Sequence, residues 1–211
     1  LQSSNEVIDV GNSGTSVRLF TALASLLNNE TVFTGEFFKR NRPITELLDA
    51  LEQIGVFSTY DEDSNKLKII FKNPKAGKIN IPGDISSQYI TALLCLAPNL
   101  RSGEDGTNIN LTSPAKSYPY LKITEDILQD FSIQFNANFD EKKQGYYTIP
   151  RNQKYRGISY KIPGDFSSAA FIIVAAALNP MPNKVKIINL DLNSPQGDKR
   201  IIKILKDIGA S

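Results

Sequence analysis

One stretch of sequence occurs three times in this chain, and three copies require one structural unit used repeatedly. The middle copy is Ile81-Pro-Gly-Asp-Ile-Ser-Ser-Gln-Tyr-Ile-Thr-Ala-Leu-Leu94. The earlier is Gly11-Asn-Ser-Gly-Thr-Ser-Val-Arg-Leu-Phe-Thr-Ala-Leu-Ala24, and the later Ile162-Pro-Gly-Asp-Phe-Ser-Ser-Ala-Ala-Phe-Ile-Ile-Val-Ala175. In each, glycine and small hydroxyl residues lead into an apolar run, which is how a helix begins. Ser, Thr and Asp accept hydrogen bonds from the first free backbone N–H groups, glycine lets the chain turn, and the apolar residues recur on one helical face. Ile54, Phe131 and Ile208, each near the end of a second helix, stand 77 residues apart. That period exceeds the common solenoid repeats and fits a small α/β unit.

Taken in order, the first repeat predicts a strand over 7–10, a helix over 15–27, a strand over 31–34, a basic loop over 35–43, a helix over 44–54 and a hairpin of 56–60 with 67–71. The second predicts a strand over 79–81, a helix from Ser86 to about residue 97, a strand over 108–111, a loop at Ser117-Tyr-Pro-Tyr120, a helix over 121–131 and a hairpin of 133–139 with 146–149. The third predicts strands over 159–162 and 184–188 and helices over 167–178 and 198–208, with no hairpin after Gly209. The fold class is α/β (α+β), built of repeated βαβαββ units, two complete and a third truncated. Such a chain, opening without a Met beside one unit's first helix, is expected to be a piece of a longer one.

The 24 Lys and Arg nearly balance the 22 Asp and Glu. A net charge of +2 gives no global argument for nucleic acid or an anionic membrane as partner, so partners must be argued locally. With no histidine and one cysteine, Cys95, the sequence has no means of forming an internal disulfide, a Cys/His zinc site or a histidine-dependent catalytic triad. No stretch approaches the apolar length that spans a bilayer, and a soluble, reduced, cytoplasmic setting is the expectation.

The copies differ where function would make them differ. Alignment of the apolar runs places Arg18, Gln88 and Ala169 together, and Ser16, Ser86 and Ser167 together. Packing alone does not call for Arg in one copy and Gln in the next, so these two are candidates to face a polar ligand; solvated positions near a helix start are the alternative. A helix N-terminus gathers unpaired N–H groups and partial positive charge, so the hydroxyls of Ser86 and Ser87 can help hold a phosphate or carboxylate, or can simply cap. Arg42, just before Pro43, stands at a helix entrance where its planar fork can grip an anion at two points, with a surface charge run of Lys39, Arg40 and Arg42 as the alternative. Ser117 and Tyr120 hold the corresponding loop of the second repeat. Gly11-Asn-Ser-Gly14 lacks both the Lys-Ser/Thr of a P-loop and the spacing of a dinucleotide fingerprint.

Six motifs in order, Gly11-Asn-Ser-Gly-Thr-Ser-Val-Arg18, Arg42-Pro43, Gly83-Asp-Ile-Ser-Ser-Gln88, Ser117-Tyr-Pro-Tyr120, Gly164-Asp-Phe-Ser-Ser168 and Gln196-Gly-Asp198, resemble the 5-enolpyruvylshikimate-3-phosphate synthases across essentially the whole chain. The resemblance implies the enolpyruvyl transferase fold, two domains of βαβαββ units with substrates in the cleft between them. It implies transfer of the enolpyruvyl group of phosphoenolpyruvate to the 5-hydroxyl of shikimate 3-phosphate, with no metal or organic cofactor. Ser86, Ser87, Gln88, Ser117 and Tyr120 would hold shikimate 3-phosphate. Gly14, Arg42 and Gln88 would hold phosphoenolpyruvate, with Asn12 and Arg18 supporting the loop. Residues 1–155 would belong to the first domain and 156–211 would begin the second. The family's acid/base residues have no counterparts in the sequence, and Asp165 is expected to cap a helix. The chain's partners would be these two substrates and the missing remainder of its own chain, without nucleic acid or membrane, and alone it is expected not to turn over. A related transferase acting on UDP-N-acetylglucosamine normally carries a reactive Cys before its Arg-Pro-like segment, and RNA 3′-phosphate cyclase uses a histidine; neither residue is present there. A non-catalytic phosphate-binding or structural repeat module is the alternative.

Overall fold

The computed structural model describes residues 7–27, 30–40, 42–61, 63–70, 74–179 and 184–210. Asn41 in the expected basic loop, Glu62 in the expected hairpin turn and Phe71 at an expected strand end lie outside them. The chain divides into two compact units, Leu1–Arg156 and Gly157–Ser211.

In the first unit each repeat makes a four-stranded sheet of the same topology. The first has β1 (Ile8–Asp9), α1 (Gly14–Ala24), β2 (Thr31–Thr34), a one-turn α2 (Glu36–Lys39), α3 (Thr45–Glu52), β3 (Phe57–Asp61) and β4 (Lys66–Ile70). The second has β5 (Ala76–Ile81), α4 (Ser87–Leu96), β6 (Gly103–Leu111), α5 (Tyr118–Asp130), β7 (Asn136–Phe139) and β8 (Gly145–Pro150). Strand orders are β1-β2-β4-β3 and β5-β6-β8-β7. In each, a parallel pair is extended by an antiparallel hairpin, with Ile8 opposite Phe33 and Ile79 opposite Ile109. The α-helical crossover is what lets the first two strands of each repeat run parallel.

Alternation decides which faces are buried. Leu67 and Ile69 of β4 point inward while Lys66 is exposed, and Ile79 and Ile81 do the same on β5. Helices α1 and α4, equivalent in the two repeats, pack on each other, and α5 packs on α4. One hydrophobic cluster runs through both repeats, from Val17, Phe33 and Leu47 to Tyr89, Ile109 and Tyr147. Each such side chain, fully removed from water, contributes roughly 1.5–3 kcal/mol. Gln53 joins the repeats at the sheet edge, since its amide both donates to the Asn80 carbonyl (2.9 Å) and accepts from the Asn80 N–H (2.8 Å).

Two expectations change here. The basic loop contains α2, whose Phe37 and Phe38 are buried and fix it to the core. Helix α5 begins at Tyr118 rather than residue 121, because Pro119 suits a first helical turn, where its missing N–H costs nothing.

The second unit contains α6 (Phe166–Leu178), a single 3-10 turn (Gly197–Lys199) and α7 (Arg200–Asp207). The expected strands at 159–162 and 184–188 do not form. They approach at one end, where the Gly164 N–H donates to the Asn189 carbonyl (2.6 Å). In the first unit the equivalent parallel pair is completed by a hairpin, and among the described residues of this unit none is present; an isolated two-stranded ribbon is marginal in water. Phe171, Leu178 and Ile188 are 80%, 76% and 74% exposed. Among the described residues, no helix is long and apolar enough to cross a membrane.

Candidate functional site

The loop that leads into α1 is locked by glycines. Gly11 adopts φ 55°, its N–H donates to the Asp9 carboxylate (2.8 Å) and its carbonyl accepts from the Phe37 N–H (2.9 Å). Gly35 lies so close that a Cβ there would meet the Gly11 carbonyl oxygen at 2.6 Å. Ser13 caps α1, accepting from the Ser16 N–H at 3.1 Å. Across this turn lies Arg42. Its Nη1 donates to the Asn12 carbonyl (2.9 Å), its guanidinium stands 5.2 Å from the Phe37 ring, and its Nη2 is 3.0 Å from where a Gly14 Cβ would be. Arg42 is exposed, and this bond uses one of its five N–H donors.

Helix α4 brings the second loop. Ser86 is its cap, its hydroxyl accepting from the Gln88 N–H at 3.3 Å, and Ser87 is buried. The Gln88 side chain crosses to the first repeat, where Oε1 accepts from Arg18 Nη1 (2.7 Å) and Nε2 donates to Thr15 Oγ1 (2.9 Å). Arg18 Nη2 donates to the Pro43 carbonyl (2.9 Å), which also accepts from the Tyr89 hydroxyl (2.6 Å). Burial pushes the Tyr89 phenol above its ordinary pKa, with Arg18 opposing the rise and Glu46 reinforcing it. The preceding turn is held by Ser113, whose hydroxyl donates to Asp84 Oδ1 (2.6 Å) and accepts from the Gly83 N–H (3.0 Å). That bond holds the Asp84 carboxyl below its ordinary range.

The third loop heads α5. The Lys116 N–H donates to the Gly83 carbonyl (2.9 Å), so this loop is stitched to the one before α4. Ser117 is held at φ 55°, in the left-handed region, and its hydroxyl does not cap the helix. Tyr120 is 44% exposed on the first turn. Its carbonyl accepts from Thr124 Oγ1 (3.2 Å), which lies 2.8 Å from Thr91 Oγ1 on α4.

Asn12, Gly14, Arg18, Arg42 and Gln88 thus form one contiguous cluster, with Ser86 and Ser87 heading the helix that carries Gln88. Ser117 and Tyr120 belong to the adjoining loop. Sequence reasoning missed Tyr89, which anchors Pro43, and Thr15, although each is a neighbour of a residue it singled out. The aligned serines are not equivalent caps: Ser13 caps α1, Ser86 caps α4 and Asp165 caps α6, accepting from the N–H groups of Ser167 and Ser168. In the second unit, Gln196 closes its turn, accepting from the Phe166 N–H (2.8 Å) and donating to the Gly164 carbonyl (2.9 Å).

A protein-family model described as EPSP synthase (3-phosphoshikimate 1-carboxyvinyltransferase) matches residues 1–211. The 3-phosphoshikimate 1-carboxyvinyltransferase of Methanococcus maripaludis is 39% identical over 100% of this chain and 48% of its own length. That of Methanocaldococcus jannaschii is 40% identical over 100% of this chain and 47% of its own. The chain spans about half the length of the curated relatives it matches. Among solved structures, EPSP synthase from Acinetobacter baumannii superposes with a TM-score of 0.70 at 22% identity, covering 98% of this chain and 43% of that one. The enolpyruvyl transferase NikO from Streptomyces tendae gives 0.52 at 17% identity, covering 76% and 36%. These two show a shared fold.

Proposed function

The chain belongs to the EPSP synthase family, and we propose that it supplies the shikimate-phosphate-holding part of an enzyme that transfers the enolpyruvyl group of phosphoenolpyruvate to the 5-hydroxyl of shikimate 3-phosphate. The observation that carries this reading is the bonded cluster in which Arg42 lies across Gly14 while Gln88, beside the Ser86 cap, reaches over to Arg18 and Thr15. Ser86, Ser87, Gln88 and Ser117 hold shikimate 3-phosphate and Tyr120 lines its pocket. Gly14 and Arg42 hold phosphoenolpyruvate, and Gln88 touches both. Residues 1–155 belong to the first domain of the parent enzyme and 156–211 open its second, in a cytoplasmic setting.

The chemistry asks for this kind of surface. Both substrates are multiply anionic, and N–H donors held rigidly at helix entrances stabilise such groups without reorganising during the reaction. Proton transfer to phosphoenolpyruvate makes its methylene a methyl group and develops positive charge on the enolpyruvyl carbon. The 5-hydroxyl adds there with loss of its proton to give a tetrahedral adduct, and loss of phosphate together with a proton from that methyl group restores the double bond. That sequence needs an acid and a base. The cluster of Arg18, Arg42, Gln88 and the serines offers binding and orientation, so the 211-residue chain alone binds without turning over. Phosphate release by the full-length protein carrying this sequence tests the reading. Release should require both substrates and fall at least tenfold in Arg42→Ala, in keeping with the loss of a charge-assisted contact worth about 1.5–3 kcal/mol. No release from the wild-type protein with both substrates present would refute it.

A further inference from the structure

Arg18 is 8% exposed, and among the described residues its guanidinium donates to Gln88 Oε1 and the Pro43 carbonyl and stands over the rings of Tyr89 (5.1 Å) and Phe37 (5.7 Å). Its Nε is buried without a hydrogen-bond partner. A charge is buried at a cost that its contacts must offset, and here the contacts impose an orientation. A guanidinium is donor-only, so the edge of the Gln88 amide that faces it must be the oxygen. The amide nitrogen is then turned the other way, where one N–H donates to Thr15 Oγ1 (2.9 Å), and an amide NH2 carries a second donor that can serve a ligand.

We propose that Arg18 is a positioning residue that fixes the Gln88 amide so that it offers an N–H donor, never its carbonyl, to the bound substrates. This rests on the reading of Gln88 as a substrate contact and deepens it: the position selects a ligand oxygen that accepts, such as a phosphate or carboxylate oxygen, and rejects one that donates. The same guanidinium holds Pro43, so one buried side chain sets both the glutamine and the segment carrying Arg42.

Two measurements on the 211-residue chain test it. Side-chain amide NMR of Gln88 should show contact with Thr15 in the wild type, lost in Arg18→Met while the core methyl signals of Val17 and Ile90 persist. A Gln88 amide without that contact in the wild type, or one unmoved by Arg18→Met, overturns the proposal. In titrations with shikimate 3-phosphate, Arg18→Met should weaken binding about tenfold and add nothing in a Gln88→Ala background; additive losses overturn it. Gln88→Glu tests it without touching the buried arginine, because the carboxylate keeps the bond to Arg18 but turns acceptor oxygens toward the ligand. It should bind more weakly than Gln88→Ala at unchanged thermal stability, and binding equal to wild type overturns the proposal. Absence of wild-type binding would count against the functional reading, and the amide signals would still decide the positioning role.

Discussion

Arg18 and Gln88, at equivalent positions of two copies of the repeat, are joined by a 2.7 Å hydrogen bond from Nη1 to Oε1. They meet because the helices that carry them, α1 and α4, are themselves equivalent and pack side by side. Repetition brings like positions together, and divergence at those positions then makes a pair rather than a clash.

Gly14→Ala separates binding from folding. The new Cβ would stand 3.0 Å from Arg42 Nη2 and 3.2 Å from its Cζ, and the end of this exposed side chain can yield by a few tenths of an ångström. Alanine is also the better helix former by roughly 0.8–1 kcal/mol. Thermal unfolding should be unchanged or slightly higher in temperature, while affinity for phosphoenolpyruvate in the full-length protein falls because the guanidinium has moved.

Gly83→Ala should behave in the opposite way. A Cβ there meets the Ser113 carbonyl oxygen at 2.5 Å and the Ala115 Cα at 3.1 Å, both backbone atoms that cannot swing aside. The two stitched loops must part, with a loss of about 1–3 kcal/mol in urea unfolding.

The period, the helix-strand order and the cluster around Gln88 were legible in the sequence because apolar spacing and the contrast between Arg18, Gln88 and Ala169 are local signals. The helix starts were legible only in part: Ser86 heads α4 and Asp165 caps α6 as expected, whereas Ser13 caps α1 and α5 begins at Tyr118. Each entrance offers several capping residues, and tertiary partners choose among them: Ser113 draws Asp84 away from capping and leaves that to Ser86, whereas Asp165 caps α6 while Gln196 closes the turn around it. The strands expected at 159–162 and 184–188 had the right composition, but strands form on partners and not on composition alone. Tyr89 gave no signal, since an apolar helix position holding Tyr reads as core until its hydroxyl is seen on the Pro43 carbonyl.

Ser117→Gly isolates the contribution of one hydroxyl. The residue sits at φ 55°, a conformation that costs an L-residue roughly 1–2 kcal/mol and glycine nothing. Relief of that strain opposes the greater chain entropy of glycine, so the unfolding free energy should stay within about 1 kcal/mol of wild type. Shikimate 3-phosphate binding should nonetheless weaken.

Asp165 predicts a pH dependence. Donation from the Ser168 hydroxyl, and then from the Ser168 N–H, holds its carboxyl below the ordinary value of 3.8. The unfolded chain therefore binds the proton more readily, so this stability is present above pH 3.8 and disappears as the pH falls through the folded-state value. The difference in unfolding temperature between wild type and Asp165→Ala, which loses a cap worth about 1 kcal/mol, should be constant near neutrality and shrink in acid.

Calorimetric titration of the 211-residue chain with shikimate 3-phosphate tests the central claim most directly. The site formed by Ser86, Ser87, Gln88 and Ser117 should bind it measurably, with the heat abolished in Ser86→Ala/Ser87→Ala while that variant still unfolds cooperatively. A wild-type chain that releases no heat, or a double variant that binds as well as wild type, would contradict the assignment of this surface as a substrate site.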